Sequence, residues 1–171
     1  MPNWCFNDIS IRANSKTLNE IEEFVKGKTY TLEGSVWKEH DLDFCFHSIV
    51  PQPLAILPPD HPYHNGNEMG VEEIMERVAE VYKKNHMPDW WNWRVENWGT
   101  KWEIDNVDVS TSRGWLKYSF STAWSPPAPV IIALSKKFPD ATIFAKAVEE
   151  GGEKGSAQFK GGETVKNNNY M

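Results

Sequence analysis

Between Pro88 and Trp102 the chain reads PDWWNWRVENWGTKW and holds five of its 9 tryptophans: Trp90, Trp91, Trp93, Trp98 and Trp102. Indole is the largest side chain, and its N–H needs a partner once the ring is buried. Such a density leaves two arrangements open. Either several elements dock onto an aromatic core, or an open aromatic surface grips a ligand. Pro88 breaks any helix arriving from upstream, Asp89 can cap a new one and Gly99 can close it. Within that short helix Trp91, Val95 and Trp98 share a face, while Trp90 and Trp93 lie off it. A helix that is aromatic over more than half its girth is sandwiched between layers or partly exposed.

The period of the apolar residues lays out the scaffold around this stretch. Asn3 to Arg12 alternates as a strand, with Cys5, Asn7, Ile9 and Ile11 on one face and Trp4, Phe6, Asp8 and Ser10 on the other. Thr17 and Glu20 have capping-box spacing, Leu18, Ile21, Phe24 and Val25 recur at helical intervals, and Gly27 can end the helix in a left-handed turn. Residues 28–41 are polar and read as irregular. Leu42 to Val50 reads as a second strand stopped by Pro51 and Pro53, and 51–67 as a long loop. A helical stripe of Val71, Ile74, Met75, Val78 and Tyr82 then runs through Glu68 to His86.

Downstream, Ile104 to Thr111 and Trp115 to Thr122 flank Ser112-Arg113-Gly114 as a hairpin. Val107 and Val109 are expected inward on its first arm, and Leu116, Tyr118 and Phe120 on its second. In AWSPPAP, Ser125 can cap and Pro126 can open a helix that buries Val130, Ile131, Leu134 and Phe138. Ala141 to Val148 is a last core strand. The order predicts an α+β fold of ferredoxin-like topology, a split β-α-β with an antiparallel sheet, helices on one face and a Trp-rich helical insertion. We read one domain over 1–150 with the insertion at 68–99. Residues 151–171 form a Gly-rich hairpin or tail, with Asn167 to Met171 disordered.

Composition excludes more than it assigns. A net charge of −6, from 18 basic and 24 acidic residues, argues against broad, salt-dependent nucleic-acid binding. Cys5 and Cys45 form no CxxC pair and are too few for a four-cysteine metal or iron–sulfur site, so they read as buried, reduced thiols and no cofactor is expected. No apolar run reaches the roughly 18 residues of a membrane span, and no basic-then-apolar leader opens the chain. A cytoplasmic protein with no membrane partner is the expectation.

Several segments together resemble a known family. They are MPNWC at the N-terminus, IVPQP after the expected second strand, ENWGTKW at Glu96–Trp102, TAWSPPAPVIIALSKKFPD at Thr122–Asp140, and the Gly-rich end. The chain is similar over nearly its whole length to a YubB-like family of uncharacterised bacteriophage and plasmid proteins, described as carrying a ferredoxin-like domain. The resemblance implies that topology without an iron–sulfur cluster, and an accessory role of the kind that acts on host or defence factors. It supplies no catalytic residues, and 28–41 and 51–67 lie outside the family pattern.

Four constellations could carry function. Trp90, Trp93, Arg94, Asn97, Lys101 and Trp102, with Trp124 and Ser125 of the AWSPP loop, could form a pocket. Its indoles would stack on a nucleobase while Arg94 or Lys101 meets a phosphate. The simpler reading is a Trp-rich mini-core pinning the insertion to the sheet, since buried aromatics usually just pack. Asp60, His61, His64 and Glu68 could hold a divalent ion, but spacing fixes no fourth strong ligand and loop histidines are usually solvated. Trp4, Phe6 and Trp115 on an open sheet face could stack bases, as in RNA-recognition modules, although no K/R-G-F-G-F-like strand is present. Cys45, His47 and Ser125 could supply a nucleophile pair, which their spacing does not force. GGEKGS at 151–156 is no phosphate loop, because its Lys precedes the last Gly. The leading reading is a non-enzymatic accessory protein that binds a host protein or a small nucleotide-like ligand and modulates host defence or metabolism. Its cleft would lie between the Trp-rich helix and the sheet. A single-stranded nucleic-acid-binding module is the second reading and a small enzyme the third.

Overall fold

The structure, a computed structural model, describes residues 3–57, 61–64, 76, 79 and 90–170. Strand β1 (Trp4–Arg12) buries Cys5, Asn7, Ile9 and Ile11, as its alternation demands. Asn7 is tolerated in that row because its amide donates to Cys5 O at 2.9 Å and to Thr122 Oγ1 at 2.8 Å. Helix α1 (Ser15–Val25) sets Leu18, Ile21 and Val25 on the core. Its cap is Asn14, whose side chain accepts the Thr17 N–H at 2.9 Å, so Thr17 sits inside the first turn and the expected capping box does not form. The helix leaves through extended backbone at Lys26 rather than a left-handed glycine. Gly27 serves another purpose: a Cβ there would run into Ser48 Oγ and the Cys45 side chain.

Residues 28–41 are not irregular. Strands β2 (Gly27–Glu33) and β3 (Val36–Leu42) pair as a separate antiparallel ribbon. Polar pairs hold it, with ion pairs Lys28–Glu39 and Lys38–Glu33 and a Tyr30 hydroxyl donating to Glu39 at 3.0 Å. The ribbon is largely exposed, so no apolar alternation announces it. The expected strand over Leu42 to Val50 is also corrected: after β3 the chain bends and enters a single helical turn, α2 (Phe46–Ile49). Phe44, Cys45 and Phe46 are all buried in succession, whereas a half-buried strand would send Cys45 outward.

Helix α3 (Trp90–Trp98) follows, then β4 (Val107–Ser112), β5 (Trp115–Ala123), α4 (Ala128–Lys137), β6 (Thr142–Glu149), β7 (Lys154–Lys160) and β8 (Glu163–Asn168). The main sheet has the order β4-β5-β1-β6-β7-β8, antiparallel throughout. With β1 between β5 and β6 and helices on one face, this is the ferredoxin-like α+β plan, extended by the β7–β8 hairpin. The ribbon, α2 and α3 all lie between α1 and β4 in the chain. The helical stripe expected over Glu68 to His86 and the Asp89 cap fall outside the described residues.

Four smaller expectations change. Val109 is exposed, because β4 is the edge strand and only Val107 is half-buried there. Pro127, not Ser125, precedes α4, so Pro126 lies outside the helix and Pro129 within its first turn. Phe138 is only half-buried, at the end of α4. The C-terminal end is ordered: β8 runs to Asn168, and buried Tyr170 packs edge-on to Phe159 at 5.9 Å. Cys5 and Cys45 are free, buried thiols, pushed by burial up to about 11 and about 12. Among the described residues no helix is long and apolar enough to cross a membrane.

Candidate functional site

Helix α3 presents a different face to the core from the one its hydropathy suggests. Trp98 is 1% exposed, while Trp91 and Val95 are 37% and 42% exposed. The Trp98 N–H donates to Val50 O at 2.9 Å, and its ring meets Phe46 edge-on at 5.8 Å. Arg94 turns toward the core where Val95 was expected. Its guanidinium lies 4.7 Å from the Trp98 ring and 5.0 Å from the Trp90 ring, and its Nε donates to Gln52 Oε1 at 2.7 Å. A flat, weakly hydrated guanidinium stacks on indole in a way that an ammonium cannot.

Gly99, at φ +80°, then turns the chain out of the helix. Two bonds fasten this turn to the AWSPP loop: Thr100 hydroxyl to Ala123 O at 2.9 Å and Ser125 hydroxyl to Gly99 O at 2.5 Å. The turn delivers Glu103 to the start of α2, which has no side-chain cap of its own. Glu103 accepts the N–H groups of Phe46 and His47 at 2.9 Å and of Ile104 at 3.2 Å. Burial raises its pKa, while those three N–H groups and Arg94 pull it down.

These elements enclose a cavity of about 240 Å³ between the ribbon, α3 and the end of β5. Arg94, Glu103 and Asp105 supply its charge. Trp4 and Trp102, tilted and 6.3 Å apart, form one aromatic wall, and Tyr30, His61 and Tyr63 form another. Thr29, Thr31, Ser121 and Thr122 add polar lining, with the Thr31 hydroxyl bonded to the His40 ring and that of Thr122 to Asn7 and Ser125 O. Behind Tyr63 its ring stacks on His47 at 4.0 Å, and its hydroxyl donates to Lys28 O at 2.6 Å.

The residues singled out from the sequence separate into three groups. Arg94 and Trp102 line the cavity. Trp93 and Asn97 are structural: Trp93 packs edge-on to Trp98 at 5.9 Å, and the Asn97 amide donates to Trp93 O at 2.9 Å. Trp90, Lys101, Trp124 and Ser125 do not line it. Ser125 is tied to Gly99, and Trp90 underlies Arg94. The Lys101 ammonium sits between Trp102 and Trp124, 3.9 and 4.1 Å from the ring centres. Trp124 is 43% exposed and holds a positive φ of 74°, rare for a bulky residue. Sequence reasoning missed Tyr30, Tyr63 and Glu103.

The metal reading finds no support in what is described. His61 is buried against the Trp37 ring at 4.5 Å, Asp60 and Glu68 fall outside the described residues, and those described hold no group of three metal-binding side chains. Nor do Cys45, His47 and Ser125 assemble. The Cys45 thiol faces Glu103 at 3.6 Å and Lys28 O at 3.8 Å, and His47 Nδ1 accepts the Gln52 N–H at 3.2 Å.

His47 makes the fold sensitive to acid. Burial, with Arg94 adding to it, lowers its pKa from 6.5 to about 4. The folded state therefore favours the neutral ring, and that stabilisation is present above pH 6.5 and lost as pH falls toward 4. Protonation would also turn Nδ1 from an acceptor into a donor facing Gln52 N–H. The loss is at most about 3 kcal/mol, less where water screens the ring. Glu103, raised by burial, contributes the opposite slope. Urea unfolding of wild type and His47→Gln at pH 7 and pH 5 isolates the imidazole, and wild type should lose more. Equal losses would remove His47 as the sensor.

Residues 97–169 match the family model described as the ferredoxin-like domain in Api92-like protein. No curated protein matches the chain in sequence. The crystal structure of protein api92 from Yersinia pseudotuberculosis is similar at a TM-score of 0.59 and 11% identity, covering 100% of this chain and 99% of that one. At that identity the likeness is one of fold. The segment that matches this model includes Trp98, Trp102, Glu103 and Trp124, while Arg94, the ribbon and the Tyr63 wall precede it.

Proposed function

We propose that this chain is a binding protein whose cavity takes a small, planar, anionic ligand of the mononucleotide class. One observation carries the reading. Arg94 donates its Nε–H to Gln52 and lines an aromatic cavity with the remaining edge of its guanidinium, the cation there that can meet an anion, beside the carboxylates of Glu103 and Asp105. Trp102 and Trp4 offer faces for a base, and Thr29 and Ser121 add polar lining suited to a ribose edge. At about 240 Å³ the cavity is below the ~300–1,000 Å³ of drug-sized sites, which favours one nucleotide over a dinucleotide. The resemblance of MPNWC, ENWGTKW and TAWSPP to phage and plasmid proteins supports an accessory role, with a host nucleotide as the ligand and host metabolism or defence as what it modulates.

Titration with AMP, GMP, CMP and UMP, followed by tryptophan emission and calorimetry, tests this. At least one should quench the emission with micromolar affinity, and its unphosphorylated nucleoside should bind more weakly. Arg94→Met should weaken binding by about ten- to a hundredfold, the loss of one or two charge-assisted bonds. Absence of heat and of any spectral change up to about 1 mM of all four nucleotides would overturn the proposal.

A further inference from the structure

A second surface, separate from the cavity, has its own chemistry. The helices cover one face of the main sheet. On the opposite face the register sets Arg12 beside Trp115 and Thr142, and Ser10 beside Lys117 and Phe144. Trp115 and Phe144 meet across these strands, their rings 5.8 Å apart and half-exposed, and the Arg12 guanidinium lies 5.8 Å from the Trp115 ring. Farther across, Phe144 pairs with Gln158 and Gln158 with Lys166, while Lys146 pairs with Ser156. An aromatic platform at one end of an open sheet face is therefore flanked by Arg12, Lys117, Lys146 and Lys166. All four are exposed, and among the described residues none joins an ion pair.

This arrangement departs from the chain's average. The net charge is −6, yet around the platform the charge is positive. Carboxylates share the region: Asp8 lies across from Lys146 and accepts the Ser119 hydroxyl at 2.7 Å, Asp108 lies beyond Ser119, Glu163 pairs with Lys160 at the β7–β8 edge, and Asp140 lies near Arg12, Arg113 and Trp115. With Arg113 and Lys160, the cations Arg12, Lys117, Lys146 and Lys166 outnumber these carboxylates, so a polyanion meets a net positive charge beside the two rings. Stacking rings with flanking cations and amide or hydroxyl groups suit unpaired bases joined by phosphates, while a duplex offers no free base faces.

We propose that the Trp115–Phe144 end of the open sheet face binds single-stranded nucleic acid, bases on the two rings and phosphates on Arg12, Lys117, Lys146 and Lys166. Fluorescence anisotropy of the full chain with labelled oligothymidylate and oligouridylate of about 12 nucleotides tests it, with a duplex of equal length as control. At about 50 mM salt at least one single strand should bind in the micromolar range, and more tightly than the duplex. Phe144→Ala, half-exposed and so compatible with folding, should lose about tenfold. The double variant Lys117→Glu/Lys146→Glu should bind less still, with a slope of log affinity against log salt shallower by roughly 1.4. Trp102→Ala, at the cavity, should change nothing, which separates this proposal from the mononucleotide site. No binding at tens of micromolar protein, or retention of full affinity by both sheet variants, would overturn it.

Discussion

Trp98→Ala is expected to destabilise the fold by about 3–5 kcal/mol, the range for truncating a fully buried aromatic. Trp98 is 1% exposed and joins the insertion to the sheet core. Its ring packs against Phe46, which in turn lies 5.8 Å from Phe120 on β5. Truncation opens a cavity between those rings, strands the Val50 carbonyl that accepts the indole N–H, and removes the surface on which Arg94 stacks. Trp91→Ala deletes the same atoms from a ring that is 37% exposed, in edge-on contact with Trp124 at 6.2 Å. Its cost should stay within about 1 kcal/mol. Denaturant unfolding of both variants reads the difference directly. A Trp98→Ala loss below about 1 kcal/mol, or equal losses, would mean that α3 does not dock through Trp98.

The contrast between these tryptophans shows what the sequence could and could not convey. The first strand, first helix, central hairpin and last core strand were legible because each is half-buried and obeys a simple period. Ile9 and Ile11, Leu18 and Ile21, and Leu116 and Tyr118 are core residues at the expected spacing. The ribbon was not legible, because its cross-strand partners are Lys28, Glu39, Lys38 and Glu33, which look like solvent-exposed loop. Phe44 to Phe46 failed for the opposite reason, being buried without alternation. In α3 a hydropathy scale sends Arg94 to solvent and Val95 inward, yet stacking on Trp98 and a bond to Gln52 reverse the two. The site was half legible on the same grounds. Arg94 and Trp102 stand in the Trp-rich stretch, but Tyr30 and Tyr63 come from segments without periodicity, and only the packing of the insertion brings them together.

Glu103→Gln is expected to cost about 2–4 kcal/mol, although it preserves the shape of the side chain. Glu103 offers acceptors at both oxygens: Oε1 to Phe46 N and Ile104 N, Oε2 to His47 N. An amide has one acceptor oxygen, so its NH₂ must face at least one backbone N–H and leave buried donors unpaired, at about 1–3 kcal/mol each. Because α2 lacks a local side-chain cap, that loss falls on the turn carrying His47 and, through its stacked ring, Tyr63. A second readout distinguishes this from a general loosening. The Cys45 thiol, 3.6 Å from Glu103, is held up to about 12 by burial and then by the charge of Glu103. In Glu103→Gln that charge is gone and the α2 turn opens more often, so Cys45 should react faster with a disulfide reagent under native conditions, while Cys5 in β1 keeps its rate. Equal acceleration at both thiols would indicate global destabilisation. Unchanged stability together with an unreactive Cys45 would show that α2 holds without its distant cap.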